Sequence, residues 1–457
     1  MKERNKILSI LLTVVMAVSC LTGCGGKGQE AGKDYDPDAI NVEISAWNDG
    51  FGVVWLERMI EAFEKKNPEY NLILNSSADA AAVAPAFGMP ELDKIDLYIS
   101  QAAYNAEYME PLDDLISTTL EGEAKTIGEK FDATYLEGAQ AADGHYYMLS
   151  AGGGVLGLVY NKEIFKQAGI KQLPRTSDEL VVVCDTLYSN GHTPLCHFAG
   201  GSYYTYLDQT FMIQYDGMDY FLNNFFACKD DEGNSPSIKV LTKKDGRYYA
   251  LKAYEKFITP EYTLAGSNTK THTEVQTEFL SGKAAMMVNG SWLEYEMRST
   301  GGTDNFAMMR TPVLSAIVNK LTTVKTEKLL RDVIKAIDQV SDGEKQLSDF
   351  ASGDGYLVNG TTVSAEDWQY VSAARNTVAT NFGGVSAYIP TYSAEKEAAK
   401  EFLKFMYSDE GITIYEEEVH APRPINLSTG EAVDTKSFSS FAQSVFYLTD
   451  SAEHIAD

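Results

Sequence analysis

Apolar and polar residues alternate through "INVEISAW" (40–47), the period of a half-buried strand, and Asn48-Asp49-Gly50 then breaks the run. Val54, Leu56, Met59, Ile60 and Phe63 recur at helical spacing, so the next segment reads as a helix with one apolar face, stopped at Asn67-Pro68. "NLILN" (71–75) and "KIDLYIS" (94–100) read as further strands, and "MEPLDDLI" (109–116) follows a short intervening helix. Strand, loop, helix and strand in that order predict an α/β fold with a parallel sheet.

The same pattern continues downstream. "GHYYMLSAGGGVLGLVYN" (144–161) holds a glycine cluster between two strand-like pieces, and a short helix follows in "KEIFKQAGI" (162–170). "RTSDELVVVCDTLYSNG" (175–191) reads as a helix capped by Thr176 or Ser177 and ended by Gly191. Residues 205–228 are aromatic-rich and helical, and 229–237 form a loop. "EVQTEFLSGK" (274–283) is an amphipathic helix that leads into "GKAAMMVNGSW" (282–292). In that stretch five apolar residues make a buried strand, Asn289-Gly290-Ser291 a turn, and Trp292 stands just beyond it. The block 314–380 is helix-rich, and 394–411 reads as one amphipathic helix with Ala398, Phe402, Phe405 and Met406 on a face. The chain shows no tandem repeat of 20–50 residues.

The chain's start changes the picture. Lys2, Arg4 and Lys6 precede an apolar run, Ile7 to Val18, shorter than the ~20 residues a spanning helix needs. That is the pattern of a secretory signal. It ends in "LTGC" (21–24), which resembles the lipoprotein box of bacteria, so residues 1–23 are expected to be a signal peptide and Cys24 the lipidated residue. Residues 24–39 then form a lipid-anchored linker.

At 457 residues the chain exceeds the usual ~100–200 of one domain, and two lobes are expected. A net charge of −27 argues against nucleic acid or an anionic membrane surface as partner. An apolar fraction of 44% and 27 Tyr mark a globular chain with aromatic groups to spare for a binding surface. Past Cys24 only Cys184, Cys196 and Cys228 remain, so at most one disulfide within the chain is possible.

Seven segments, in order, resemble one family. They are "AWNDGFGVVWLERMIEAFEKKNP", "MEPLDDLI", the 144–170 stretch, "RTSDEL", "FLSGKAAMMVNGSW", "MMRTPV" and "AYIPTYSAEKEAAKEFLKFMYSDEG". Together they resemble the extracellular solute-binding proteins of ABC importers, specifically the carbohydrate-binding group that includes maltose-binding protein. The resemblance implies a type II two-lobe fold with the ligand cleft between the lobes. Lobe 1 would comprise 40–153 and 312–411, with 314–380 as a helical insertion; lobe 2 would comprise 157–308 and 415–457. Gly152, Gly153 and Gly154 would form a hinge crossing, with others near Met309–Pro312 and Gly411–Glu418. No cofactor, metal or catalysis is implied. The partners are a small carbohydrate and the ABC permease subunits, with the chain a monomer held by its lipid on the outer face of the bacterial cytoplasmic membrane.

Sugar chemistry says which side chains to seek. A pyranose has an apolar C–H face that stacks on an aromatic ring, for ~0.5–1.5 kcal/mol beyond burial. Planar amides and carboxylates take its hydroxyls, and an unmatched buried partner costs about 1–3 kcal/mol, which is the source of selectivity. In open α/β sheets, ligands lie beyond the carboxyl ends of strands. Trp47, Asn48 and Asp49 match the family's first-strand loop, Gln101 follows the third strand, and Trp292 matches the family's stacking tryptophan. Tyr203 and Tyr204, in "GGSYYTY" (200–206), match a segment with aromatic ligand contacts; interior packing is the alternative for both. Gly383, Gly384 and Tyr388 lie where related chains bring a Gly-rich loop to the cleft.

Other motifs are decoys. "GGGVLG" (152–157) has dinucleotide-loop spacing, but a strand-like "LVYN" follows instead of the required helix. "HTPLCH" (192–197) reads as a loop with one buried cysteine, not a metal site, and "EEE" (416–418) as a solvated helix face. Two rivals stand beside sugar capture: a same-fold receptor for a non-sugar solute, and a glycan-cleaving enzyme whose acid pair converges only in the fold.

Overall fold

The computed structural model describes residues 33–456, apart from positions 49, 88, 103, 199–202, 301–302, 431–432, 451 and 453. The expected signal peptide, Cys24 and Asp49 therefore lie outside the described residues. Two five-stranded sheets organise the chain. The first has the order β2-β1-β3-β12-β4, from Tyr70–Ser77, Ile40–Trp47, Leu97–Ser100, Val385–Tyr388 and Leu149–Gly152. β1 pairs parallel with β2 and β3, and β12 runs antiparallel to β3 and β4.

The second sheet is built on β5 (Val155–Asn161), which pairs antiparallel with β6 (Met286–Gly290), β7 (Phe306–Met309) and β11 (Thr377–Thr380). β13 (His454–Ala456) adds parallel to β11. A small hairpin sheet, formed by β8 (Ala351–Ser352), β9 (Gly355–Val358) and β10 (Thr361–Ser364), packs on the same lobe. This is the expected two-lobe α/β architecture.

The opening helix, Val54–Lys66, forms because its apolar residues share one side. The buried set is Trp55, Leu56, Met59, Ile60 and Phe63; Val54 is exposed, so Trp55 and not Val54 begins the face. The expected single helix at 394–411 is two, Lys396–Met406 and Asp409–Val419. Ser408 interrupts it as an N-cap, its Oγ accepting from Gly411 N at 3.1 Å. A Cβ on Gly411 would stand 2.2 Å from Phe405 O, so only glycine permits this turn.

The sheets partition the chain differently from expectation. β7 lies in the second sheet, and Val313, Leu330, Ile334, Trp368 and Val371 pack into the second lobe's core with Leu180 and Phe211. Residues 312–376 thus belong to lobe 2, not lobe 1, because their apolar faces pack on one another and on helix Tyr203–Asp216 in the second lobe's core. The second crossing is Asn381–Gly384, between β11 and β12, rather than Met309–Pro312. The third lies past Ser428: helix Asp409–Val419 still packs on Val54–Lys66, Ile425 bridges to Phe131 and Ser428 bonds Asp409. Phe438 and helix Ser440–Asp450 then join lobe 2, where Ser444 Oγ accepts from Met308 N at 2.8 Å.

The first crossing is two residues long. β4 ends at Gly152 and β5 begins at Val155; Gly153 and Gly154 lie between them, and Gly153 has φ +149°. A Cβ there would stand 2.4 Å from Asn381 O. Asn381 N donates to Gly154 O at 2.8 Å, so the first two crossings are laced together.

The three glutamates expected on a solvated face are not all solvated. Glu416 is buried, and Glu418 bonds Arg58 of lobe 1 at 2.8 Å and Arg298 of lobe 2 at 3.4 Å. Burial pushes the Glu416 carboxyl up to about 8, against the nearby buried Arg423. His420, at φ +58°, caps the end of helix Asp409–Val419, stacks on Phe438 at 4.2 Å and bonds Glu294 at 2.8 Å, tying that end of lobe 1 to lobe 2.

Two outcomes are expected. Gly153→Ala lowers stability by about 1–3 kcal/mol in chemical denaturation, through backbone strain and the clash with Asn381. Glu416 binds its proton more tightly folded than unfolded, so its contribution falls as pH rises from 4.5 to about 8 and is flat above. Glu416→Gln therefore gains melting temperature over the native chain across that window, measured at pH 5, 7 and 9.

Candidate functional site

The loop after β1, the carboxyl end of β6 and the first crossing meet around Trp292 in the gap between the lobes, at Gly50, Gly290 and Gly154. Ser291 fixes the backbone before it: its N donates to Val155 O at 2.8 Å, and its Oγ accepts from Val155 N at 3.2 Å. A short helix, Leu293–Met297, starts immediately after Trp292.

The indole lies against bare backbone. A Cβ on Gly290 would meet its ring carbons at 2.4 Å, and one on Gly154 would meet Cε3 and Cζ3 at 2.8 Å. A Cβ on Gly50 would approach Trp292 Cβ to 2.9 Å. Phe51 presents its edge at 6.1 Å and 82°, and Tyr203 leans over at 5.8 Å and 35°. Trp292 is half-buried, packed against the core yet open on part of its surface.

Tyr203 begins helix Tyr203–Asp216. Burial and the Glu296 carboxylate push its hydroxyl up to about 12, offset by a hydrogen bond with Trp292. Glu296 was not anticipated from sequence. It sits one helical turn past Trp292, accepts from Gln276 Nε2 at 2.8 Å, and would lie 3.1 Å from a Cβ on Gly50. Burial raises its carboxyl above the usual range. The signal was its i+4 spacing from Trp292 in a segment too short to show a periodic face.

The first-strand loop is at the gap as well. Trp47 is half-buried, its Nε1 donating to Ala78 O at 3.2 Å, and Asn48 is exposed, its N donating to Ser77 O at 2.9 Å. Gln101 is exposed beyond β3, and Gly384 follows the Asn381 crossing.

Two tyrosines go elsewhere. Tyr204 is buried in lobe 2, its hydroxyl donating to Cys196 O at 3.1 Å and its carbonyl accepting from Tyr254 Oη at 2.6 Å. Helical geometry sends consecutive residues to different sides, so Tyr203 and Tyr204 do not share the gap. Tyr388 is fully buried, stacked on Tyr98 at 5.3 Å and bonded to Ser100 Oγ at 2.9 Å. Both are interior groups that shape the site from behind.

Beyond Gly383 the gap widens into a chamber of about 490 Å³. Lobe 1 contributes Tyr104, Tyr135, Tyr147 and Met148, and lobe 2 contributes Met218 and Leu222. None of these was singled out from the sequence, although Tyr104 stands three residues past Gln101.

Two α/β lobes, joined by short crossings with an aromatic-lined gap between them, define a two-lobe solute-binding fold. The model of the bacterial extracellular solute-binding protein family matches residues 53–413, and the chain belongs to that family. A curated relative, an uncharacterized ABC transporter extracellular-binding protein of Pyrococcus horikoshii, is 22% identical over 335 residues, 69% of this chain and 70% of its own. Among solved structures the fold is similar to RafE in complex with raffinose, at TM-score 0.57 and 15% identity, covering 92% of this chain and 89% of that one. It is also similar to the bacterial solute receptor AcbH, described as preferring β-D-galactopyranose, at TM-score 0.62 and 13% identity, covering 91% and 87%.

Gly290→Ala is expected to displace the Trp292 ring. The readout is a shift of the tryptophan emission maximum of the folded protein, with the far-ultraviolet circular dichroism spectrum retained.

Proposed function

We propose that this protein captures a carbohydrate, a mono- or oligosaccharide, between its two lobes and delivers it to an ABC permease without altering it. The observation that carries this reading is Trp292: a large, half-exposed indole held against glycine backbone, with Tyr203 beside it. A rigid aromatic platform suits the C–H face of a pyranose. Asn48 and Gln101, exposed at the strand ends, are the planar groups that would bond its hydroxyls, with Asp49 next to Asn48 in sequence. The fold's likeness to receptors described with raffinose and galactopyranose supports the same substrate class.

Binding to open lobes, followed by closure about Gly152–Gly154 and the Asn381 crossing, would present the permease with a closed form. Cys24 would carry the lipid, and two acyl chains would anchor the protein stably where one would not. Glu296 supports a second reading, an amine ligand, since its carboxylate stands beside Tyr203 and Gly50.

A thermal-shift screen with millimolar mono- and oligosaccharides, and with spermidine, tests both. A rise with a sugar and none with spermidine is expected; the reverse would replace the first reading by the second. For the sugar that binds, Trp292→Ala weakens affinity about 10- to 100-fold by calorimetry while the unliganded protein still melts cooperatively.

A further inference from the structure

The chamber beyond Gly383 differs in chemistry from the Trp292 platform. Its volume, about 490 Å³, falls in the ~300–1,000 Å³ range of small-molecule sites. Among the described residues its lining holds no Asp, Glu, Lys, Arg or His.

Its polar groups are largely engaged already. Tyr147 Oη donates to Asp143 at 2.8 Å, and Tyr135 Oη accepts from Ser150 N at 2.6 Å. Gln140 Nε2 donates to Gly144 O at 2.9 Å, and Ser386 Oγ to Gly383 O at 3.3 Å. What the void meets is mainly tyrosine ring, methionine and leucine. Tyr104 and Tyr147 stand 5.3 Å apart with their rings tilted by 52°. From the other lobe Leu222 is 47% exposed, a large apolar side chain with its surface left open.

A second sugar ring placed there would lose water from its hydroxyl rim and find few free partners, at about 1–3 kcal/mol for each one unmatched. An apolar group would lose nothing of that kind, and would cover Leu222 and Met218 as well. Aromatic rings also make favourable contacts with tyrosine edges and methionine sulfur. The second crossing connects the chamber's wall to the platform. Gly383 is two residues from Asn381, whose N–H bonds Gly154, and Gly154 touches the Trp292 ring. At 3.8 Å per residue those two steps span at most about 8 Å.

We infer that the ligand is an uncharged glycoside carrying an apolar substituent, aryl or alkyl, and that this chamber receives the substituent while the sugar rests on Trp292. The inference rests on the carbohydrate reading above. It makes the protein a receptor for amphiphilic glycosides rather than for plain sugars, with specificity divided between two lobes: Tyr104, Tyr135 and Tyr147 on one, Met218 and Leu222 on the other.

The test is calorimetric titration of the protein with methyl, phenyl and hexyl glycosides of glucose, galactose, mannose and N-acetylglucosamine. For at least one sugar, the phenyl or hexyl glycoside is expected to bind about tenfold more tightly than its methyl counterpart, with a more negative heat-capacity change. A phenyl gain assigns the aryl source and a hexyl gain the alkyl one. Leu222→Asn and Met218→Gln should bring the ratio of substituted to methyl affinity toward one. If methyl glycosides bind and neither substituent adds affinity, the inference is overturned and the carbohydrate reading stands. A gain that survives both substitutions also overturns it, by placing the substituent elsewhere. If no glycoside of any kind binds, the carbohydrate reading fails and takes the inference with it.

Discussion

A tryptophan ring pressed onto glycine backbone is the contact on which the rest of the site depends. Gly290 ends β6, Gly154 precedes the strand that enters lobe 2, and Gly50 lies in the first loop of lobe 1. Each has the indole or its Cβ so near that any side chain would collide with it. These three positions come from distant parts of the chain and from both lobes. The ring therefore acts as a gauge of lobe placement: the sheets must arrive in register for it to fit. Ser291 supplies the complementary constraint by tying the start of β5 to the end of β6 through two hydrogen bonds.

Around this contact the two lobes are held by different means. Lobe 2 fastens β5 on both sides, with β6 on one edge and β11 then β7 in succession along the other, so the crossing strand is rigid once it has entered. In lobe 1, β4 is an edge strand, paired with β12. At the back, charge does what hydrogen-bonded strands do at the front: Glu418 reaches an arginine from each lobe. The gap is thus framed by one short laced pair of strands and one shared carboxylate, and the aromatic surfaces lie between.

Much of this architecture was legible in the residues. The strand–helix–strand opening, the capped helix after Thr176 and the strand leading to Trp292 all follow from periodicity and end signals that act locally. What escaped was long-range. Nothing local distinguishes an apolar helix face that covers lobe 2 from one that covers lobe 1, so residues 312–376 were assigned to the wrong lobe. Ser408 looked like one more position in a continuous amphipathic pattern, because its capping bond is invisible until the backbone turns. The pair Tyr203–Tyr204 shows the same limit at finer scale: the segment was identifiable, but which ring faces the gap is set by the helix phase. Tyr104, Tyr147, Met218 and Leu222 carry no motif at all and become a group only when the lobes face each other.

The lacing of the first two crossings, Asn381 N to Gly154 O, has a mechanical consequence. It places the pivot of any lobe rotation beside the Trp292 ring. Points on a pivot sweep almost no distance, whereas Leu222 and Tyr104 line the chamber from opposite lobes and would move relative to each other. A solute resting on Trp292 would keep that contact throughout the rotation, and the outer walls would travel toward it. Encounter and engulfment would then be separate kinetic steps with separate structural owners: the indole for the first, the peripheral walls for the second. Substitutions at the two places should accordingly divide between association and residence time.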